Sequence, residues 1–249
     1  AAKMAMLVDK HIRGIISLPE EEVLTNTHKY LSDDQKTYDL KFGVNKISES
    51  LYETPEEIFE SYKTFLHEDL QSAVNVDFHF QTQMTIRLQT PHTTAQKFYP
   101  LFHSDIQFGH PPHEINVWIP LTEPSANEGH GFTLSSLNES EAIFNEFDFD
   151  IHEMNKNSTL ITQQLQNTAV LQSLPVGSAL LFDTRKFHST LPLADHSRVS
   201  LDIRILPCDA HEAAKTIYTG IGRKKVKFAP SFAYSSESIN GHKQKPLPI

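Results

Sequence analysis

The stretch VDFHFQTQMTIRLQ, residues 76–89, alternates apolar and polar side chains over most of its length. Val76, Phe78, Phe80, Met84, Ile86 and Leu88 share one face; Asp77, His79, Gln81, Gln83, Thr85, Arg87 and Gln89 share the other. Period two is the spacing of a strand buried on one side, and a helix cannot satisfy it. SRVSLDIRIL repeats the pattern, with Val199, Leu201, Ile203 and Ile205 set against Arg198, Ser200, Asp202 and Arg204. EINVWIP alternates Ile115, Val117 and Ile119 with Asn116 and Trp118. GSALLFD reads as a short strand after a turn, and FYPLF as another before His103. Strands are expected from about residue 75 to 207, as an antiparallel sandwich or small barrel with helices packed outside it.

Helix signals flank that region. In ETPEEIFESYKTFLHEDL, Thr54 is expected to cap, Pro55 to open the helix and Glu57 to close a capping box. Ile58, Phe59, Tyr62, Phe65 and Leu66 then form one apolar face. A weaker helix is expected from Pro19 to about Leu31. Residues 122–176 interrupt the strands. SANEGHG is a loop by composition, STLITQQLQNTAVLQSL fits helix or strand, and the insertion reads as a lid or a surface excursion. One domain over 1–249 is expected: a helical part to about 74, a β core to about 207 and a C-terminal extension.

With 39% hydrophobic residues the chain has material for a sizeable core, and its formal net charge of −9 argues against general nucleic-acid or anionic-membrane binding. The basic cluster Arg223, Lys224, Lys225 and Lys227 is short and reads as a solvated strand. The single cysteine, Cys208, excludes an internal disulfide and a Cys-rich zinc site. AAKMAMLVDKHIRG has too short an apolar run for a signal peptide or a membrane span. A soluble cytoplasmic protein is expected, of undetermined oligomeric state.

Fourteen histidines make any single one weak evidence for a metal. His-x-Asp occurs twice. His67 and Asp69 sit at the end of the amphipathic helix, where residues two apart diverge. His103 and Asp105 follow a strand and enter a turn-rich loop, where both side chains can reach one ion. A third ligand is supplied by His188, shortly after the strand at residues 179–182. Two histidines and a carboxylate on one face make the facial triad of non-haem Fe(II) oxygenases, with positions left open. Ten residues on, Arg198-Val199-Ser200 can bind a carboxylate, the guanidinium as a fork and the hydroxyl beside it. Arg204 shares the face and competes for that task; pairing with Asp202 is its plainer role.

The order His-x-Asp, distant His, Arg-x-Ser resembles the Fe(II)/2-oxoglutarate-dependent oxygenases. NVWIPLTE and RVSLDIR look like their phytanoyl-hydroxylase-like and antibiotic-biosynthesis hydroxylase branches. The resemblance spans residues 83–207 and implies a mainly β, double-stranded β-helix (jelly-roll) core. It implies Fe(II) on His103, Asp105 and His188, and 2-oxoglutarate on Arg198 with Ser200, Asn116 or Arg204 contributing. Arg87, Gln89 and Trp118 would line the pocket. His110 and His113 of HPPHE would be substrate contacts or exposed loop residues, and His130 an exposed one. O₂ and 2-oxoglutarate would be consumed, succinate and CO₂ released, and an unactivated C–H of a small polar metabolite hydroxylated. A carboxylate at Asp105, where halogenases of the family carry a small residue, favours hydroxylation. The rivals are a cupin-type metal enzyme without 2-oxoglutarate, against which Arg198-x-Ser200 speaks, a protein-directed hydroxylase, and a metal-free β-sandwich binding protein.

Overall fold

The computed structural model describes residues 2–36, 38–39, 44–50, 55–82, 84–91, 102–122, 132–190, 195–209, 218–219, 226–227, 234–235 and 237–241. Thr54, the FYPLF segment before Phe102, SANEGHG with His130, and Arg223 to Lys225 lie outside them.

Eight strands form two antiparallel sheets: β1 (Phe78–Phe80), β2 (Thr85–Gln89), β3 (Ile115–Pro120), β4 (Phe132–Leu134), β5 (Val170–Gln172), β6 (Leu180–Asp183), β7 (His188–Thr190) and β8 (Arg198–Pro207). In the larger sheet β8 is central. One edge pairs with β2 over Arg198–Asp202 and with β1 over Ile205–Pro207; the other pairs with β3, which pairs with β6. The smaller sheet has the order β5-β4-β7. Residues 76–89 are thus two strands, not one. Between Phe80 and Thr85 lie four residues where β8 has only Ile203 and Arg204. The excess of two leaves the alternation in phase, which is why the sequence reads as unbroken.

The apolar face of β8, Val199, Leu201, Ile203 and Ile205, is buried with Ile86, Leu88, Val117 and Ile119 beneath helices. One is α1 (Ala2–Ile16), where Met4, Val8, Ile12 and Ile16 recur at one-turn spacing. The second is α2 (Glu56–Thr64), contributing Ile58 and Tyr62; a π-helical turn, Phe65–Leu70, continues it and adds Phe65 and Leu66. The expected box at the start of α2 differs. Pro55 is itself the cap, with no side-chain hydrogen bond, and the helix opens at Glu56. The expected helix at 19–31 is only a 3-10 segment, Leu24–Lys29. Helix exceeds strand among the described residues, so mainly β does not describe the chain; the long alternating strands drew attention away from α1 and from the insertion.

The described part of that insertion holds α3 (Leu137–Glu146), α4 (Ile151–Lys156) and α5 (Ser158–Leu165). Ser136 caps α3 in a box with Glu139, and Asp150 caps α4. Ile143, Phe144, Ile151, Met154, Ile161 and Leu165 build a second core with Phe102, Ile106 and Phe187. STLITQQLQNTAVLQSL is helix first, α5, and then strand, β5. No helix among the described residues is long and apolar enough to cross a membrane.

Leu201 is fully buried at the centre of the apolar face. Leu201→Ala is expected to cost about 2–5 kcal/mol in denaturant unfolding. Val170→Ala, on a 62% exposed residue, is expected to stay within about 0.5 kcal/mol of the parent.

Candidate metal centre

Much of the polar face of the larger sheet is buried too, with Thr85, Arg87 and Asp202 half-buried. Register places Gln89, Arg87 and Thr85 of β2 opposite Arg198, Ser200 and Asp202 of β8, and Trp118 and Asn116 of β3 opposite Asp202 and Arg204. Directly paired residues point the same way, so this row faces the smaller sheet. Gln89 Nε2 donates to Thr190 Oγ1 of β7 at 3.3 Å, Trp118 clusters with Leu134 of β4, and Phe182 of β6 meets the His188 ring at 5.5 Å. A polar interior between two sheets costs free energy unless each group finds a partner.

His103 and His188, 85 positions apart, form an antiparallel bridge. His103 N–H donates to His188 O at 3.0 Å and His188 N–H to His103 O at 2.8 Å. Facing residues in such a pair project to the same side, and the ring centroids are 4.3 Å apart. Asp105 follows at once, as the first residue of a 3-10 turn, Asp105–Phe108. Ser104 caps that turn in a box with Gln107, and its hydroxyl donates to Thr184 O at 2.8 Å. Gly109 ends it at φ +91°, a conformation that favours glycine. The outer neighbours of the ligand residues, Phe102, Ile106 and Phe187, anchor in the second core. Gln107 Nε2 also donates to Asn155 Oδ1 of α4 at 2.8 Å. The described insertion therefore buttresses the ligand turn and does not act as a loose excursion.

One donor atom each from His103, Asp105 and His188 lies within 4.8 Å of the others, and His188 Nε2 is 3.8 Å from Asp105 Oδ1. His188 Nδ1 faces Lys186 O at 3.3 Å, so Nε2 points to the centre. A backbone carbonyl on the far nitrogen is the usual way a ligating imidazole is oriented. Burial pushes the Asp105 carboxyl up, but Arg204, followed by His188, His110 and His103, outweighs it and holds the group well below the usual carboxylate range. The anionic oxygen a metal requires is therefore present at neutral pH. The donor set fits a facial site for Fe(II).

Arg204 sits behind the triad. Its Nη2 and Nε donate to Asp105 Oδ2 at 2.9 and 3.2 Å, and Nε lies 3.3 Å from Glu114 Oε1. It is therefore engaged on carboxylates of the protein itself. Asp202, its plainer expected partner, pairs instead with Arg87. His110 was expected at a surface loop or against substrate. It is buried, with Nδ1 2.9 Å from Glu114 Oε1 and 3.1 Å from Oε2. His113 is exposed, on a cleft also lined by Leu181, Asp183 and Arg185. Arg198 is 3% exposed and its guanidinium lies 5.9 Å from the Trp118 ring centroid. Ser200 is buried, its hydroxyl donating to Asp202 Oδ1 at 3.4 Å. Asn116 Nδ2 and Gln89 Oε1 are buried and have no hydrogen-bond partner among the described residues. Sequence reading missed Glu114, one residue before β3, and Phe108, which is 55% exposed and meets the His103 ring edge-on at 5.2 Å. Neither carries a motif; Glu114 was detectable only as the acid ending HPPHE.

No protein-family model and no curated protein matches the chain. Among solved structures, EctD from S. alaskensis with 2-oxoglutarate and 5-hydroxyectoine aligns at TM-score 0.49 and 12% identity, over 92% of this chain and 75% of that one. The non-haem α-ketoglutarate-dependent epimerase SnoN from nogalamycin biosynthesis aligns at 0.40 and 11%, over 83% and 73%. The non-haem monooxygenase ThoJ, in a Ni complex, aligns at 0.40 and 11%, over 99% and 80%. At these values the functional reading rests on the residues of the site.

Arg204 neutralises two buried carboxylates. Arg204→Leu is expected to destabilise the protein by about 3–5 kcal/mol, because both acids lose their cation. Arg87→Leu, which breaks a partly exposed pair, is expected to cost about 1 kcal/mol or less. Chemical denaturation of the two variants side by side measures the difference.

Proposed function

We propose that this chain is an Fe(II)- and 2-oxoglutarate-dependent oxygenase that hydroxylates a C–H bond of a small polar molecule. The observation that carries the reading is the His103–Asp105–His188 cluster with a buried arginine, Arg198, on the polar face of the same interior. The facing sheets are read as a double-stranded β-helix, with residues 1–249 as one catalytic domain.

His103, Asp105 and His188 hold the metal on one side and leave the opposite positions open. Arg198 takes the distal carboxylate of 2-oxoglutarate. The guanidinium sits over the Trp118 ring, and its fork of N–H donors matches the edge of a carboxylate. Gln89 stands opposite Arg198 in the register and reaches Thr190, two residues from His188. That link sets the clamp beside the strand that carries the third ligand. Ser200 lies two residues along the same face, and Asn116 Nδ2 is a buried donor in want of an acceptor. Arg204 and Arg87, both paired with carboxylates, organise the site. When bound, the metal and co-substrate supply the oxidising chemistry: O₂ is consumed, 2-oxoglutarate becomes succinate and CO₂, and the substrate C–H becomes C–OH. The two sheets and the row of Trp118, Leu134 and Phe182 exclude bulk water from that chemistry.

Anaerobic addition of Fe(II) and 2-oxoglutarate is expected to produce a visible metal-to-ligand charge-transfer band in the parent protein and none in His188→Ala. Arg198→Ala is expected to retain metal and to weaken 2-oxoglutarate by roughly 10- to 100-fold, the worth of a charge-assisted fork. An Arg198→Ala protein with unchanged co-substrate affinity, or a parent with no band, refutes the assignment.

A further inference from the structure

Residues 234–235 and 237–240 lie along the edge of β1 that β8 leaves open. Tyr234 bridges Gln81, Ser235 N–H donates to Phe80 O at 2.8 Å, and Ile239 N–H donates to Phe78 O at 2.9 Å. Ser238 Oγ and Asn240 N–H add 2.7 and 3.1 Å hydrogen bonds to Asp77. Ile239 is 5% exposed and belongs to the main core. These contacts hold the backbone at and after Tyr234, whose hydroxyl is buried.

Burial, and then the Glu114 carboxylate, push that phenol well above its ordinary value. Glu114 in turn meets His110 through both oxygens and Arg204 Nε through one. Arg204 holds Asp105 Oδ2, while Oδ1 faces His188. The chain Glu114, Arg204, Asp105 therefore runs through the protein interior to a candidate ligand residue.

Resting on the oxygenase reading above, we propose that Glu114 is a positioning residue of the metal centre. Its task is to keep Arg204 on one oxygen of Asp105, so that the carboxylate offers the metal the other oxygen alone. A carboxylate able to turn would chelate through both oxygens and fill a position that co-substrate or O₂ needs. Glu114 suits this work because a carboxylate has lone pairs for several donors at once. Groups that orient a metal ligand in this way commonly change metal affinity when removed, with no contact to the metal themselves.

Co(II) alone, titrated into the full chain, is the probe, because its visible ligand-field band reports coordination number as well as affinity and needs neither 2-oxoglutarate nor turnover. Glu114→Gln is expected to bind Co(II) about 10- to 100-fold more weakly with an altered band, and Glu114→Asp, which keeps the charge with a shorter reach, to shift both in the same direction by less. Leu201→Ala, destabilised but remote from the chain of contacts, is expected to give the parent's band, which separates positioning from general loosening. Should Glu114→Gln fail to fold, Glu114→Asp decides the matter. A folded Glu114→Gln protein, or in its place Glu114→Asp, with the parent's affinity and band overturns the proposal while leaving the oxygenase reading intact. If the parent binds no Co(II), or binds it equally well as His103→Ala, the metal reading falls and this inference with it.

Discussion

Strand β8 is buried on both faces, and the two faces make different demands. The apolar one, from Val199 to Ile205, is satisfied by helices that need only be apolar and of the right size. The other carries Arg198, Ser200 and Arg204 into the interior, with Asp202 half-buried among them, and each group needs a polar or aromatic partner there. Arg204 is answered by Asp105 and Glu114, Asp202 by Arg87, and Arg198 by the face of Trp118. The rest of the site follows from these pairings. Asp105 comes from the 3-10 turn, Glu114 from the approach to β3 and Arg87 from β2, so three separate stretches of chain are drawn to one strand.

Much of this was legible in the sequence, and the reasons are local. Alternation identified β8, β3 and the 76–89 region because half-buried strands repeat every two residues. His103 and Asp105 stood out because two residues on an extended segment share a side. His188 needed the further step that a third ligand arrives from a neighbouring strand, and the antiparallel bridge between the two histidines is the form that step takes.

What stayed hidden depends on distance or on context. Helix α1 has a clear one-turn repeat, but its run of apolar residues was weighed only as a targeting segment. Glu114 is an ordinary residue until folding sets it against Arg204, 90 positions away in the chain. Arg204 was recognised as sharing the right face, yet alternation cannot distinguish an arginine that faces a ligand from one that faces two acids of its own protein. The insertion was open between a lid and a surface excursion because its helices carry no mark of what they cover. Phe102, Ile106 and Phe187 supply that mark only once folding sets them beside His103, Asp105 and His188.

The bridge that joins His103 to His188 is made of main-chain atoms. Backbone hydrogen bonds are indifferent to the side chain they carry, and the flanking Phe102 and Phe187 bury themselves whatever stands between them. Scaffold and chemistry are thus separable at this point of the molecule. A gene duplicate could lose both imidazoles and keep the pairing of the strands, the capped turn and the buried polar face. On the oxygenase reading, such a copy would keep its polar interior with its reactivity removed, so this architecture offers a short mutational path from enzyme to binding protein.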